Sequence, residues 1–150
     1  MDEAVKNLCI RKIRIEDADD ISKIQASITG TAEKTDFKNI IKKQIQTDES
    51  TSLVAEIEGK VVGYIISYFL YNVFGVEKIA WITSFGIEPK LMGKEIGRRL
   101  AYELFQVYRK KGVKNVLSSV PWDSVDLLSF FKALGFNRSS FINLKKELDY

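Results

Sequence analysis

The chain has no histidine and only one cysteine, and each shortage excludes a class of active site. Without histidine, the protein has no serine–histidine triad, no histidine-ligated zinc and no histidine general base. The single cysteine, Cys9, cannot form a disulfide within the chain, and its position before Ile10 predicts a residue inside a strand. Proton transfer must therefore use a carboxylate, a tyrosine, a lysine, the cysteine or water. We expect no metal ion in the site.

The sequence also lacks the long apolar run of a membrane-spanning helix. Its first eight residues carry Asp2 and Glu3 and do not resemble the basic, then apolar, start of a secretory signal. We therefore expect a cytoplasmic protein that does not bind membranes. The 150 residues are 45% hydrophobic and 29% charged, which is enough for one hydrophobic core. A single domain over residues 1–150 is predicted, as a monomer or a homodimer.

Positive charge is concentrated in one part of the chain. The net charge is +3, yet residues 88–114 hold eight Lys and Arg residues against three Glu residues, which is a local net charge of +5. Such a concentration favours a polyanionic ligand. Two classes of ligand fit at this point, a nucleic acid and a phosphate-rich cofactor.

Hydrophobic periodicity predicts a mixed α/β protein with the element order β-α-α-β-β-β-α-β-α-β. The predicted strands are residues 9–15, 52–57, 61–70, 78–87, 113–120 and 141–148, with a hairpin turn at Gly59–Lys60. The predicted helices begin after Asp17, after Thr35 or Asp36, near Gly93 and after Asp123.

The segment from residue 85 to residue 99 predicts a strand, a glycine-containing turn and a helix start. A helix start leaves about four backbone N–H groups unpaired and carries a partial positive charge, so it attracts phosphate. Gly93 and Gly97 would let the backbone approach a ligand closely. The cations beside them are Lys94, Arg98 and Arg99. This segment therefore predicts a pyrophosphate-binding site.

The same segment resembles the acyl-CoA signature of the GNAT N-acetyltransferase superfamily, Arg/Gln-x-x-Gly-x-Gly/Ala after an apolar-x-Pro strand end. The matching residues are Ile87, Pro89, Gly93, Ile96 and Gly97. The hairpin residues 62–64 fit the family pattern too, and residues 130–136 resemble its Phe-Tyr-x-x-x-Gly-Phe segment. With the element order, the resemblance covers roughly residues 10–148. It implies a central, mostly antiparallel mixed sheet with flanking helices.

The resemblance also implies acetyl-CoA as the acyl donor and assigns residues to it. Backbone groups at the end of the strand at 79–87 would meet the pantetheine arm where that strand splays from its neighbour. The turn and the helix start would meet the pyrophosphate. The assigned cofactor-binding residues are Phe85, Gly86, Ile87, Met92, Gly93, Lys94, Glu95, Ile96, Gly97, Arg98, Ser124 and Phe131.

Four of these positions depart from the family pattern. Met92 replaces the usual Arg or Gln, and Glu95 replaces the central glycine. Glu95 brings a carboxylate near the expected pyrophosphate unless its side chain turns outward. Phe131 stands where the family commonly has the tyrosine that protonates the departing thiolate, and Ser124 stands where an Asn often contacts the cofactor.

As the resemblance implies, the acceptor amine attacks the thioester directly, and the protein positions the reactants, deprotonates the ammonium and stabilises the oxyanion. The candidate base is Glu77, because the family often keeps a glutamate in this strand. Glu77 also shares strand parity with Ile79 and Trp81. An alternative proton relay consists of tyrosines in the neighbouring strand, Tyr64, Tyr68 and Tyr71. The acceptor stays open between a protein N-terminus, a lysine, a polyamine and another small amine.

Two other functions remain open from the sequence. A domain that binds acyl-CoA without turnover is favoured by Met92, Glu95 and Phe131. A nucleic-acid binder is favoured by the charge of residues 88–114. The chain lacks interleaved aromatic residues and a recognisable reading motif, so we do not expect nucleic acid as a partner.

Overall fold

The computed structural model describes residues 5–30, 35–47, 51–73 and 75–149. The chain divides into two compact units, Met1–Ser118 and Ser119–Tyr150. The sequence-based expectation of one domain over the whole chain stays a prediction. In the described ranges, no helix has the length and apolar character needed to cross a membrane.

The first unit contains five strands and three α-helices among its described residues, in the predicted order. The strands are β1 (Leu8–Lys12), β2 (Leu53–Ile57), β3 (Lys60–Val73), β4 (Val76–Ile87) and β5 (Val116–Ser118). The helices are α1 (Ala18–Thr29), α2 (Phe37–Ile45) and α3 (Ile96–Lys110). The mixed α/β fold class is confirmed.

The strands form one sheet in the order β1-β2-β3-β4-β5. The first three pairings are antiparallel, and β4 pairs with β5 in parallel. The turn between β2 and β3 consists of Glu58 and Gly59, whose φ angles are 51° and 81°. Two positive φ angles are typical of the two-residue turn that matches strand twist. The predicted turn at Gly59–Lys60 is therefore one residue too late, because Lys60 already pairs with Ile57.

Helices cover both faces of this sheet. Neighbouring residues of a strand point to opposite faces, so the contacts of Gly63 and Tyr64 in β3 report on the two sides of the sheet. On one face, Tyr64 of β3 belongs to a buried cluster with Ile24 of α1 and Phe37 of α2. On the other face, a β-carbon added at Gly63 would lie 3.2 Å from Leu100 of α3. The sheet is thus a layer between the α1–α2 pair and α3.

Of the two helix N-caps predicted in the first unit, one forms a capping hydrogen bond and the other does not. Asp36 caps α2, since its carboxylate accepts a hydrogen bond from Asn39 N–H at 3.0 Å. Asp17 precedes α1, but its side chain does not cap the helix. Its carboxylate instead accepts from Arg11 Nη1 and Nη2 at 2.9 and 2.8 Å and from Arg14 N–H at 2.7 Å. Asp17 has φ −80° and ψ −12°, a helical conformation rather than the extended one typical of a capping residue, and its carboxylate meets Arg14 N–H and the charged guanidinium of Arg11 instead.

Arg11 ties the first two strands to the start of α1. Its Nε donates to Glu56 Oε2 of β2 at 3.0 Å, while its other nitrogens hold Asp17. The hydrogen bond to Asp17 is the largest cause that raises the pKa of Arg11, and Glu56 adds to it. The guanidinium therefore stays charged at neutral pH.

The second unit contains one helix among its described residues, α4 (Val125–Ala133). Ser124, rather than the predicted Asp123, occupies its N-cap position. The strand predicted over 141–148 is wrong, because residues 136–149 form no strand. Ile142 and Leu144 are 74% and 89% exposed. Alternating apolar residues stabilise a strand only when pairing and burial accompany them, and neither is present here.

Replacing Asp17 with Asn tests the buried ion pair. Asp17 is 4% exposed, and Asn keeps its shape while removing the charge that faces Arg11. We expect the free energy of unfolding, measured by urea denaturation, to fall by about 2 kcal/mol. Glu16→Gln changes an exposed neighbour and serves as the control, with an expected change below about 0.5 kcal/mol. Equal stability of both variants would contradict the importance of the pair.

Candidate functional site

The parallel ladder between β4 and β5 is short and ends inside β4. It runs over Ala80–Ile82 of β4 and Val116–Ser118 of β5, so β5 is shorter than the predicted strand 113–120. β4 continues to Ile87, which still pairs with Gly63 of β3 on its other side. Within this unit, the second half of β4 therefore extends beyond the end of the β5 ladder.

A loop with two left-handed residues follows β4. After the short 3-10 turn Pro89–Leu91, Gly93 has φ 80° and Glu95 has φ 69°. Helix α3 begins only at Ile96, three residues later than predicted, because left-handed residues cannot belong to a right-handed helix. The left-handed conformation suits glycine and is costly for a residue with a β-carbon. Glu95 thus holds a backbone conformation that favours glycine, the residue that the resemblance expects at this position.

The start of α3 is not capped by a side chain. Glu95 occupies the N-cap position, but its carboxylate makes no capping hydrogen bond. The first helical hydrogen bond runs from Arg99 N–H to Glu95 C=O at 3.1 Å, so the N–H groups of residues 96–98 lie before it. These amides and the helix dipole form an environment that favours an anion.

The side chain of Glu95 turns outward. It is 72% exposed, and its Oε1 lies 3.8 Å from Arg98 Nη1 one helical turn away. An exposed pair of this kind contributes little to stability. Its consequence is local, because Glu95 neutralises part of the positive charge that Arg98 brings to the helix start.

The positive charge of residues 88–114 forms two groups in space. Lys90, Lys94, Arg98 and Arg99 lie around the loop and the first turn of α3. Arg109, Lys110, Lys111 and Lys114 lie at or beyond the last turn of that helix. A helix of this length extends for about 22 Å, so the second group cannot reach an anion at the helix start. It stabilises the negative end of the helix dipole instead.

Gly86 is required by packing against α1. A β-carbon at Gly86 would lie 2.7 Å from the ring of Tyr64 and 3.0 Å from Ile28 Cδ1. The Tyr64 hydroxyl reaches past this glycine and donates a hydrogen bond to Gln25 Oε1 of α1. It also lies 3.0 Å from Ser84 Oγ of β4. The missing side chain at position 86 therefore has a structural cause that is independent of any ligand.

Sequence reasoning named Tyr64 as a possible proton relay but missed Gln25 and Ser84. The available signal was a polar residue in an apolar strand, since Ser84 follows Ile79 and Ile82 in β4. The partner on α1 could not be found in this way, because Gln25 is separated from Tyr64 by 39 positions in the chain.

The predicted base, Glu77, lies near the other end of β4. It is exposed and close to the β3–β4 turn, where Val73 pairs with Val76. At about 3.3 Å per residue, roughly 25 Å of strand separates Glu77 from Phe85. The structure does not bring Glu77 together with Phe85, Gly86 and Ile87. Its assignment as the base stays a prediction.

Ser124 and Phe131 belong to the second unit. Ser124 is half-buried at the start of α4, and its N–H donates to Pro121 C=O at 3.0 Å. Phe131 is buried, with its ring 5.5 Å from that of Phe130 and 5.0 Å from that of Phe136. These contacts explain Phe131 as a packing residue of this unit. Contact of either residue with a cofactor stays a prediction.

Tyr108, outside the loop, has a shifted pKa. Tyr108 lies in the last turns of α3, and burial raises the pKa of its phenol above the usual range. A buried phenol of this kind stays protonated at neutral pH. Tyr108 is therefore not a candidate base.

Comparisons with known proteins agree on one family. The model of the acetyltransferase (GNAT) family matches residues 18–136. An uncharacterized N-acetyltransferase of Methanocaldococcus jannaschii is 24% identical over 146 residues, which cover 92% of this chain. The chain spans 64% of the length of that relative.

Two solved structures show the same fold. An aminoglycoside acetyltransferase from an uncultured soil metagenomic sample, in complex with sisomicin, has a TM-score of 0.82 at 18% identity, over 98% of this chain and 100% of that one. The aminoglycoside N-acetyltransferase AAC(6')-Iy, in complex with CoA, has a TM-score of 0.79 at 13% identity, over 93% and 94% of the two chains.

Replacing Glu95 with Gly tests the strain in the loop. Removal of the β-carbon relieves the left-handed penalty, and the extra freedom of glycine in the unfolded chain offsets part of the gain. We expect the free energy of unfolding to rise by about 0.5–1 kcal/mol, seen as a higher melting temperature. Glu95→Ala is the matched control, because it removes the carboxylate and keeps the β-carbon. If Glu95→Ala stabilises the protein as much as Glu95→Gly, the carboxylate and not the backbone is the cause.

Proposed function

The chain belongs to the GNAT acetyltransferase family, and from that premise we propose that it transfers an acetyl group from acetyl-CoA to a primary amine. The observation that carries the proposal is the uncapped start of α3 behind the Gly93–Glu95 loop. In this unit, that loop follows directly on the strand that extends beyond its parallel ladder.

The residues of the loop suit a pyrophosphate. A β-carbon added at Gly93 would meet no atom within 4 Å, so the backbone at this position is open to a ligand. The N–H groups of Ile96, Gly97 and Arg98 would donate to the phosphate oxygens. Lys94 and Arg98 would add positive charge, and Arg98 would exchange Glu95 for the ligand. Met92 is 53% exposed and would offer only apolar contact.

The end of β4 suits the pantetheine arm. Amide groups of the arm would add to the backbone of Phe85, Gly86 and Ile87 beyond the β5 ladder, much as an extended peptide adds to a sheet edge. From the pyrophosphate at α3, the arm would then run along β4 toward Ile82. This direction would bring its thioester end close to the point where the ladder stops.

Bound acetyl-CoA supplies a thioester, whose carbonyl carbon the amine nitrogen attacks as the carbon–sulfur bond breaks. A thiol is a much stronger acid than an alcohol or an amine, so the thiolate leaves without an obligatory acid. Phe131 in place of the family tyrosine is compatible with this chemistry. Positioning of the two reactants would supply most of the rate.

A panel of amines identifies the acceptor. We would measure CoA release from acetyl-CoA with sisomicin, spermidine, a lysine-containing peptide and a peptide with a free N-terminus. Sisomicin is included because an aminoglycoside acetyltransferase of this fold binds it. The proposal expects at least one of them to release CoA above the rate without protein.

A second candidate function is an acyl-CoA-binding domain without turnover. It is favoured by the strained Glu95, which pairs with Arg98, and by the packing role of Phe131. Binding of acetyl-CoA together with no CoA release from any amine of the panel would establish this function instead.

We expect CoA to stabilise the protein against heat. A ligand at a hundred times its dissociation constant adds about 2.7 kcal/mol to the free energy of unfolding.

Gly97→Val should remove most of this effect, because a β-branched side chain would stand beside the amides at the start of α3. The expected loss of CoA affinity is roughly tenfold or more. Gln106→Val, at an exposed position of the same helix, is the matched control for valine in α3. Normal CoA binding by a folded Gly97→Val protein would place the site elsewhere.

A further inference from the structure

Three polar side chains form a chain of hydrogen bonds from helix α1 to strand β4. Gln25 lies on α1, Tyr64 on β3 and Ser84 on β4. Tyr64 is fully buried, while Gln25 and Ser84 are half-buried. This series of hydrogen bonds therefore begins at a helix, crosses the covered face of the sheet and ends at the hydroxyl of a half-buried residue.

The direction of the hydrogen bonds in this chain is determined by the amide oxygen at its inner end. Gln25 Oε1 can only accept, so the Tyr64 phenol donates its one proton to it. Ser84 Oγ, at 3.0 Å from the phenol oxygen, must then donate its own proton to Tyr64. The lone pairs of Ser84 Oγ are left to accept a hydrogen bond from another molecule.

Ser84 lies where β4 changes its pairing. It is the second residue after Ile82, the last residue of the β5 ladder. The register between β3 and β4 shifts at the same place, since Ile66 pairs with Ser84 and Ser67 with Ile82, which leaves Thr83 as an extra residue. Bulges of this kind turn a side chain toward an active site in many enzymes.

We propose that Ser84 Oγ accepts a hydrogen bond from the acceptor amine and so holds its nitrogen beside the thioester, with Tyr64 and Gln25 as positioning residues. The inference rests on the proposed function, because the thioester end of acetyl-CoA is placed near Ile82 by the run of the pantetheine arm along β4. The inference identifies Ser84 as the residue that binds the amine in the proposed reaction.

The acceptor amine reacts in its neutral form. Its nitrogen donates one N–H to Ser84 Oγ and directs its lone pair at the carbonyl carbon. The nitrogen–carbon bond forms and the carbon–sulfur bond breaks. One proton leaves the nitrogen for solvent, and one proton from solvent reaches the thiolate. Ser84 therefore orients the nucleophile and keeps its own proton throughout.

The test compares four variants with the wild-type protein, using hydroxylamine as the amine. Hydroxylamine is small enough to enter any amine site, is neutral at pH 7.5 and forms acetohydroxamate, which is measured above the uncatalysed rate. Ser84→Ala removes the acceptor oxygen, Ser84→Thr keeps it, and Tyr64→Phe removes only the phenol hydroxyl. Thr83→Val removes a neighbouring hydroxyl of β4 and is the matched control.

We expect Ser84→Ala to lower kcat/KM for hydroxylamine by roughly three- to tenfold and Tyr64→Phe by a similar or smaller factor. Ser84→Thr should restore most of the loss, and Thr83→Val should behave as wild type. The double variant Ser84→Ala with Tyr64→Phe should be no slower than Ser84→Ala alone, because Tyr64 acts only through Ser84.

CoA affinity, measured by calorimetry, is the readout that does not depend on activity. It should stay within about twofold of wild type in all variants, because no proposed cofactor contact is changed. A kcat/KM for Ser84→Ala equal to that of Thr83→Val would overturn the inference while leaving the acetyltransferase function intact. Weakened CoA binding in Ser84→Ala would overturn it too. Wild-type protein that binds no CoA, or that accelerates neither hydroxylamine nor any panel amine, would remove the proposed function and this inference with it.

Discussion

The pairing of β4 determines the geometry of the rest of the candidate site. This strand is held by β3 from the β3–β4 turn to Ile87, whereas β5 holds it only over Ala80–Ile82. After the bulge at Thr83, the antiparallel ladder continues to Ile87 and holds the far half of β4 on β3 without any help from β5. A strand that pairs on one side only can form hydrogen bonds with a ligand along its other edge. The residues that follow β4 form the loop before α3.

The loop before α3 shows a conflict between backbone conformation and side-chain identity. The connection from β4 to α3 requires the left-handed conformation at two positions in this structure, and Gly93 meets that requirement without strain. Glu95 meets it at a cost and adds a carboxylate beside the amides that favour an anion. Its outward direction, toward Arg98, reduces the repulsion that a bound pyrophosphate would experience.

Tyr64 takes part both in core packing and in a hydrogen bond with Ser84. Its ring fills the space that the missing side chain of Gly86 leaves against α1, and this contact determines where its hydroxyl lies. The hydroxyl in turn orients Ser84 at the end of the β5 ladder. A core contact thereby controls the direction of a hydrogen bond at the edge of the candidate site, with Gln25 as the group that defines the direction.

The sequence alone determined the element order up to α4 and the mixed fold class, because both depend on local periodicity. It also located the loop between β4 and α3, because glycine near a helix start indicates such a loop. It could not determine the start of α3 at Ile96 or the absence of a strand over 141–148, since both depend on backbone angles and pairing rather than on pattern. The exposed position of Glu77 at the start of β4, distant from Phe85, and the contact of Gln25 with Tyr64 were also decided only by tertiary structure. Residues distant in the chain meet through sheet register and helix packing, and neither can be read from the spacing of residues along the sequence.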